Sequence, residues 1–505
     1  MRTANALKNV ITSLILQIVV AISGILIPQF FIAIYGSAIN GLVASISQFI
    51  TYMSLVEAGI SAAGMVALFK PLSMQDTNVV NAIISATRRF YFQSGMAFVA
   101  LVFVLMLFYP RIVQSEVGDS SFVRLMILVL SINGIVDYFF LGKYRVLLNA
   151  DQKMYVISVA QILGTIVVTI ISIILMRYGC SAILVKSTAA SIYILRSIMV
   201  AIYVKRKYRW LDFKAIPDTS AFSQRWAALV HQIVGMIVNN TDIVLLTVLL
   251  PEAALIQVSI YSVYSLVGYA LTSALNSITN SLGSGFGEII SRGETKTLYK
   301  NYSAYEYVFY ILIFTAYSCM IVLLYPFMKL YSASFSDAAS YVNWNFVILF
   351  SLVGIIQTIR YPGLTLIIAA GHYKQTQVRA IIEASINIIV SVGLIFHYGI
   401  VGVLLGTCAS YLYRTIDVII YAAKFFVIGT LKKSFFRIIR NALITCPVII
   451  FGITVVVDKI HTWVGWFEWA CILGILTLLF LTLVNVFIEP NEFKYVIQKI
   501  KQLKC

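Results

Sequence analysis

The stretch MRYGCSAILVKSTAASIY (176–193) has a counterpart 220 residues later, FHYGIVGVLLGTCASYLY (396–413). The two stretches are identical at five paired positions: 178/398, 179/399, 184/404, 189/409 and 193/413. Each contains a tight Tyr-Gly turn that separates two apolar runs. A match of this kind predicts a duplicated bundle of helices whose two copies run in the same direction.

The composition around these two turns differs strongly from that of a soluble protein. Of the 505 residues, 60% are hydrophobic and only 11% are charged. Apolar runs of about 20 residues, the length that crosses a bilayer as a helix, recur along the whole chain. They predict fourteen membrane-spanning helices. The first run, at 10–34, lacks a signal-peptide cleavage pattern, so we expect it to be a retained span.

Two segments that mix Lys and Arg with Trp or Phe, at 203–218 and 424–440, are predicted to lie on the membrane surface and divide the chain into six, six and two spans. The repeated turns support this division, because they lie between spans five and six and between spans eleven and twelve. We therefore predict an all-α polytopic membrane protein with two six-helix bundles around a central cavity plus two C-terminal helices. The predicted segments are an N-terminal bundle at 1–204, a cytoplasmic amphipathic linker at 205–221, a C-terminal bundle at 222–424, an amphipathic linker at 425–440, helices thirteen and fourteen at 441–488, and a cytoplasmic amphipathic tail at 489–505.

The formal net charge of +17 is explained by topology. Of the 37 Lys and Arg residues, 28 lie at the two termini or in the even-numbered loops. Because cytoplasmic loops are enriched in Lys and Arg, this distribution predicts that both termini are cytoplasmic. Most of the basic residues lie between apolar spans and do not form a solvated basic face, so no nucleic-acid partner is expected.

Arg360 lies deep in the apolar stretch FSLVGIIQTIRYPGLTLIIAAG (350–371), with no acidic residue within four positions. A charge inside a span requires a cavity or a partner, so Arg360 either faces a substrate cavity or pairs with an acid on another helix. Pro362 predicts a kink near 358–361, and together with Gly363 it is a candidate hinge.

Three further basic residues lie within predicted spans. Arg196 either extends to the membrane surface or lines a cavity. Arg414 either forms a local ion pair with Asp417, three residues along the same helix, or lines a cavity. Lys186, near the outer end of its span, either lines the outer mouth of a cavity or reaches lipid headgroups.

Four residues in the predicted spans are candidates for coupling to an ion gradient: Glu57, Asp137, His231 and Asp242. The last two are eleven residues apart, nearly three helical turns, and so share a helix face. A His and an Asp on one face can carry a proton or Na⁺, and hydrogen bonding between helices is the structural alternative.

Aromatic and glycine residues supply the remaining candidates. Tyr261, Tyr264 and Tyr361 can stack on sugars, although tyrosine at a span end also forms interfacial belts. Gly283 and Gly285 lie in NSLGSGFGEIISRG (280–293), which lacks the spacing of a phosphate-binding loop and is typical of a flexible, closely packed helix end.

Catalytic, nucleotide and metal motifs are missing from the sequence. It contains no GxSxG, HExxH or Walker motif, and its six cysteines show no zinc or disulfide spacing. We therefore expect no enzymatic activity, no cofactor and no metal site.

Two stretches resemble the polysaccharide transporter family, the lipid-linked oligosaccharide (O-antigen type) flippases of the multidrug, oligosaccharidyl-lipid and polysaccharide exporter superfamily. They are the run from LKNVITSLIL to SLVEAGI (7–60), which contains YGS, NGL, SISQFI and EAGI, and SLGSGFGEIISRG (281–293). The predicted fourteen spans extend the resemblance along the whole chain. One departure is that no Lys or Arg lies between Lys8 and Lys70, where several family members have arginines.

The resemblance implies a flippase that moves an undecaprenyl-diphosphate-linked oligosaccharide repeat unit from the cytoplasmic to the outer leaflet of the bacterial inner membrane. It also implies alternating access, coupling to H⁺ or Na⁺, contact with membrane lipids, and a glycan polymerase as a partner in the same membrane. Arginine is suited to phosphate oxygens, so Arg360, Arg414, Lys186 and Arg196 are the expected diphosphate ligands. The tyrosines named above would contact the glycan.

Two other classes of membrane protein remain as alternatives to a flippase. A cation-coupled multidrug exporter of the same superfamily would have twelve spans and a cavity dominated by acids. A membrane glycan polymerase or ligase would need a long outer loop with catalytic Arg or His, and the odd-numbered loops here are short.

Overall fold

The computed structural model of the chain describes residues 2–57, 59–222, 225–250, 252–337 and 339–502. Within these ranges it leaves out the side chains of residues 2–4, 6, 114, 115, 221, 225–232, 234, 238, 239 and 500. His231, one of the candidates for ion coupling, therefore lies outside the residues whose side chains are described.

The described residues form eighteen α-helices. The first nine are α1 (Arg2–Tyr35), α2 (Ser37–Met53), α3 (Ile60–Met74), α4 (Thr77–Val117), α5 (Ser120–Val136), α6 (Gly142–Ala150), α7 (Met154–Arg177), α8 (Ala182–Lys207) and α9 (Arg225–Leu249). The others are α10 (Ala254–Ser291), α11 (Thr295–Ser332), α12 (Trp344–Ile359), α13 (Tyr361–Ala369), α14 (Tyr373–Tyr398), α15 (Ile400–Phe425), α16 (Leu431–Phe451), α17 (Trp463–Ile488) and α18 (Pro490–Gln502).

The all-α, polytopic class predicted from the sequence is confirmed. Within the described part of the chain, thirteen helices are long and apolar enough to cross a membrane. The fourteenth predicted span falls on α9, of which 240–249 is described as a shorter apolar helix. Helices satisfy their own backbone hydrogen bonds, so runs of leucine, isoleucine and phenylalanine can face lipid directly.

The chain forms two compact units. The first comprises Met1–Val263 with Phe335–Asp337, and the second comprises Tyr264–Ser334 with Ala338–Cys505. Within the second unit, α11 is buried along most of its length and packs against α12, α16 and α17. Its buried face is rich in tyrosine, which brings hydroxyl groups into the interior of this unit.

Part of the basic segment 425–440 is continuous with the helix that follows it. Residues from Leu431 onward are the first turns of α16, which continues into the thirteenth predicted span. Arg437 is only 1% exposed and contacts acidic residues of neighbouring helices. Its charge is therefore neutralised inside the unit and does not face lipid headgroups.

Candidate functional site

The helix containing Arg360 is broken at that residue. α12 ends at Ile359, α13 begins at Tyr361, and Pro362 lies in the first turn of α13. The break coincides with the kink predicted at 358–361, because proline cannot supply a backbone N–H to the preceding turn. It places the Arg360 side chain at the junction of two helices.

Gly363 follows the break and lies close to α15. A Cβ atom at this position would lie 2.7 Å from Cγ1 of Val418. By contrast, Gly283 and Gly285 lie within the uninterrupted helix α10 and have no side-chain or backbone atoms within 4 Å of an added Cβ. Gly363 thus permits close helix packing, and a hinge role for all three glycines stays a prediction.

Glu383 of α14 is the partner of Arg360. The Nη1 atom of Arg360 lies 2.5 Å from the Oε1 atom of Glu383, and both side chains are less than 10% exposed. The Arg360 guanidinium also lies 4.6 Å from the ring centroid of Tyr411. Its buried Nε has no hydrogen-bond partner among the described residues. Of the two interpretations from sequence, the pairing with an acid on another helix is therefore present.

Arg414 extends this ion pair into a cluster. Its Nε lies 3.6 Å from the second oxygen of Glu383, and its Nη1 donates to Asp417 at 2.7 Å. Arg379 of α14 pairs with the other oxygen of Asp417. We call these five residues the Arg360 cluster. With both carboxylates ionised, three guanidiniums face two carboxylates, which leaves one excess positive charge.

Sequence reasoning identified two of the three arginines in this cluster and missed Glu383 and Arg379. Glu383 lies in the eleventh predicted span, so a systematic search for acids within spans would have found it. Arg379 lies at the predicted start of the same span, a position where sequence alone favours the membrane surface.

A second cluster, in the first unit, surrounds Asp137. One carboxylate oxygen of Asp137 accepts a 2.8 Å hydrogen bond from Nη2 of Arg145 and another from the hydroxyl of Tyr193. The guanidinium of Arg196 lies 4.1 Å from the Tyr193 ring centroid. Glu57 interacts electrostatically with both Asp137 and Arg145. These five residues form the Asp137 cluster, which joins three of the sequence candidates.

The backbone at Asp137 is also unusual. Residues Asp137–Leu141 form a π-helical turn between α5 and α6. Such turns insert one extra residue into a helix, redirect nearby side chains and occur frequently at functional sites. Here the turn brings Arg145, eight residues further along, back to the Asp137 carboxylate.

The other candidates are separate from both clusters. Lys186 lies 4.5 Å from the ring centroid of Phe31 and, in the described part of the chain, has no acid within ion-pair distance. Asp242 is buried and accepts a 2.6 Å hydrogen bond from the hydroxyl of Tyr261.

Two aromatic candidates from the second unit are packed among its helices. Tyr264 is fully buried and donates to the carbonyl oxygen of Tyr341 at 2.7 Å. The ring centroid of Tyr361 lies 6.3 Å from that of Phe309. Tyr264 would need a change of packing before it could contact a glycan.

Comparison with known proteins gives the fold. No family model matches the chain, and no curated protein matches its sequence. Among solved structures, the lipid II flippase MurJ in an inward closed conformation matches with a TM-score of 0.68 at 14% identity, over 96% of this chain and 99% of that one.

Multidrug transporters match over a smaller share of this chain. An inward-facing MATE family transporter of the MOP superfamily has a TM-score of 0.58 at 11% identity, over 84% of this chain and 96% of its own. A variant of the Vibrio cholerae MATE transporter VcmN has a TM-score of 0.56 at 15% identity, over 84% of this chain and 97% of its own. The chain therefore has the fold that the lipid II flippase shares with the multidrug transporters of the MOP superfamily.

Proposed function

We propose that this protein is a flippase that moves an undecaprenyl-diphosphate-linked oligosaccharide from the cytoplasmic to the outer leaflet of the bacterial inner membrane. The observation that carries the proposal is the Arg360 cluster, in which two buried arginines and the partly exposed Arg379 face two carboxylates, in a chain that shares the fold of a lipid II flippase. A diphosphate that crosses a membrane needs buried cations along its route.

The Arg360 cluster is suited to hold a diphosphate by exchange of partners. Glu383 bridges Arg360 and Arg414, one oxygen to each. A diphosphate could take the place of this carboxylate, since guanidinium groups bind phosphate oxygens with matched geometry. The unsatisfied Nε of Arg360 would supply one more donor. In this proposal Glu383 pairs with Arg360 and Arg414 until the substrate enters.

Residues outside the Arg360 cluster are the further candidates in this proposal. Lys186 and Arg196 are the further cations proposed to contact acidic parts of the substrate, and Tyr261 and Tyr361 are proposed to contact sugars. Glu57 and Asp137 are the proposed sites of H⁺ or Na⁺ coupling, because neutralising Asp137 would weaken its hold on Arg145. The helix break at Arg360 would allow the motion of alternating access.

The test is a flipping assay in vesicles that contain a lipid-linked oligosaccharide. We expect Arg360→Ala to lower the rate about tenfold or more, as expected when a charged hydrogen bond to the substrate is lost. Arg292→Ala is the matched control, because Arg292 is an exposed arginine of the same unit and its ion pairs among the described residues are with the exposed acids Glu288 and Glu294. Equal flipping by folded Arg360→Ala and wild type would remove Arg360 from the mechanism.

The second candidate is a cation-coupled multidrug exporter, which the MATE matches favour. The two MATE structures named above match over 84% of this chain, compared with 96% for MurJ, which supports the flippase. The same vesicles can be loaded with a cationic dye and given a proton or sodium gradient. Gradient-driven dye transport without any flipping would favour the exporter.

A further inference from the structure

Two basic side chains of the first unit lie against the same aromatic ring, and a third interacts electrostatically with one of them. They are Arg88 of α4, Lys143 of α6 and Lys205 of α8, and the last of these interacts electrostatically with Lys143, as does Arg88. The Nζ atom of Lys143 lies 5.1 Å from the ring centroid of Phe213 and 5.3 Å from that of Tyr144. The guanidinium carbon of Arg88 lies 5.9 Å from the Phe213 ring centroid. We call these five residues the Lys143 patch.

The cations of the Lys143 patch lack acidic partners. None of the three has a carboxylate within 4.0 Å in the described part of the chain, whereas Arg145 and Lys153, from the same region, both form ion pairs. Asp212, next to Phe213, uses its carboxylate to accept the backbone N–H of Lys214 at 2.8 Å. Lys143 itself is half-buried. Because Arg88 and Lys205 both interact electrostatically with Lys143, the three like charges repel, and an anion bound beside Lys143 would reduce this repulsion.

The backbone around Phe213 is fixed on α4 by hydrogen bonds. The side-chain amide of Asn81 donates to the carbonyl oxygen of Trp210 at 3.2 Å and accepts the N–H of Asp212 at 3.0 Å. The N–H of Asp218 donates to the carbonyl oxygen of Ala82 at 3.2 Å. Because the backbone on both sides of Phe213 is hydrogen-bonded to α4, the aromatic wall of the patch is in place before any ligand binds.

We propose that the Lys143 patch binds the anionic phosphate headgroup of a lipid. Ammonium and guanidinium groups donate charged hydrogen bonds to phosphate, and juxtamembrane cations attract anionic lipids. The rings of Tyr144, Phe213 and the neighbouring Trp210 suit the boundary between headgroups and hydrocarbon. The distribution of Lys and Arg predicts that this end of the unit is cytoplasmic.

The same phosphate chemistry occurs in an anionic membrane lipid and in a lipid diphosphate, so both are tested. The full-length protein in detergent is mixed with phosphatidylglycerol, undecaprenyl diphosphate or zwitterionic phosphatidylcholine, and bound lipid is counted by native mass spectrometry. We expect Lys143→Met to weaken binding of the anionic lipids about fivefold, with phosphatidylcholine unchanged. Lys143→Arg, which keeps the charge, should bind like wild type.

Lys296→Met is the matched control, because Lys296 is an exposed lysine of the second unit whose loss changes the net charge equally. Arg88→Gln serves as a second variant at an exposed position of the patch.

A loss of binding confined to undecaprenyl diphosphate would assign the patch to a lipid diphosphate, and an equal loss for phosphatidylglycerol would assign it to anionic lipids in general. Binding by Lys143→Met and Arg88→Gln equal to that of Lys296→Met would overturn the proposal. Because no flipping is measured, the result is independent of the proposed function.

Discussion

At the scale of single residues, Glu383 holds the Arg360 cluster together. Its two oxygens contact different arginines, and its side chain is only 7% exposed. Without this carboxylate, Arg360 would lose its acidic partner and Arg414 would keep only Asp417. A buried ion pair contributes little net stability when intact, but removal of one partner leaves a buried charge uncompensated.

We therefore expect Glu383→Gln to destabilise the protein strongly, by roughly 3 kcal/mol or more. Glu288→Gln is the control, since it removes an acid from the exposed pair with Arg292 and should change stability by less than about 1 kcal/mol. The difference in unfolding free energy between the two variants is measured in detergent, with circular dichroism used to monitor unfolding. Similar unfolding curves for the two variants would show that the Arg360 cluster does not need Glu383.

At the scale of secondary-structure elements, close approach of helices depends on glycine at particular positions. A Cβ on Gly363 would lie within 2.7 Å of Val418 on α15, whereas one on Gly283 would meet no atom within 4 Å. We expect Gly363→Ala to cost about 1–3 kcal/mol through overpacking. Gly283→Ala should be neutral or stabilising, because alanine favours the helix. Melting temperatures of the purified variants test this, and a loss of stability confined to Gly283→Ala would contradict it.

A second feature at this scale is an ion-pair cluster that links α16 to α11 and to the junction of α17 and α18. We call its residues, Arg437, Arg440, Glu306 and Glu489, the Arg437 cluster. Arg437 contacts Glu306 at 3.0 Å and Glu489 at 2.6 Å, and Arg440 contacts Glu489 at 2.6 Å. Burial alone would raise the pKa of Glu489, but the hydrogen bonds and charges of Arg437 and Arg440 lower it to about 2. Two arginines of α16 thus share the carboxylate of Glu489, which lies between the end of α17 and the start of α18.

The lowered pKa of Glu489 predicts that acid weakens the ion pairs of the Arg437 cluster and so destabilises the folded protein. Because the pKa of Glu489 is lower in the folded protein than its ordinary value of 4.5, its stabilising effect is complete above pH 4.5 and is lost as the pH falls toward 2. We expect wild-type stability to fall more steeply than that of Glu489→Gln between pH 5 and pH 3. Denaturation measured over this range tests the prediction, and parallel pH profiles would contradict it.

At the scale of the whole molecule, the number of crossings decides the topology. Thirteen described helices can cross by length and composition, and α9 is the remaining predicted span. If α9 also crosses, the number is even and both termini lie on the same side, which the positive-inside rule predicts to be the cytoplasm. A fluorescent reporter that folds only in the cytoplasm, fused to either terminus, should be active in both fusions. Activity at one terminus alone would mean that α9 does not cross.

The sequence by itself determined the features that depend on local chemistry. Apolar runs specify spanning helices in lipid, Pro362 specifies a break next to Arg360, and three-residue spacing gives the pair Arg414–Asp417 as one of two alternatives. Each of these follows from residues close together in the chain, so no knowledge of helix packing was needed.

Only the tertiary structure decided which charges meet across helices. Glu383 is 23 positions from Arg360, Tyr193 is 56 from Asp137, and Glu306 is 131 from Arg437. The surroundings of Arg437 could not be predicted from the sequence for this reason, because a basic residue near a span end can face headgroups or a buried acid. The choice depends on which helices are neighbours, and that is set by packing along their whole lengths and not by the sequence around either charge.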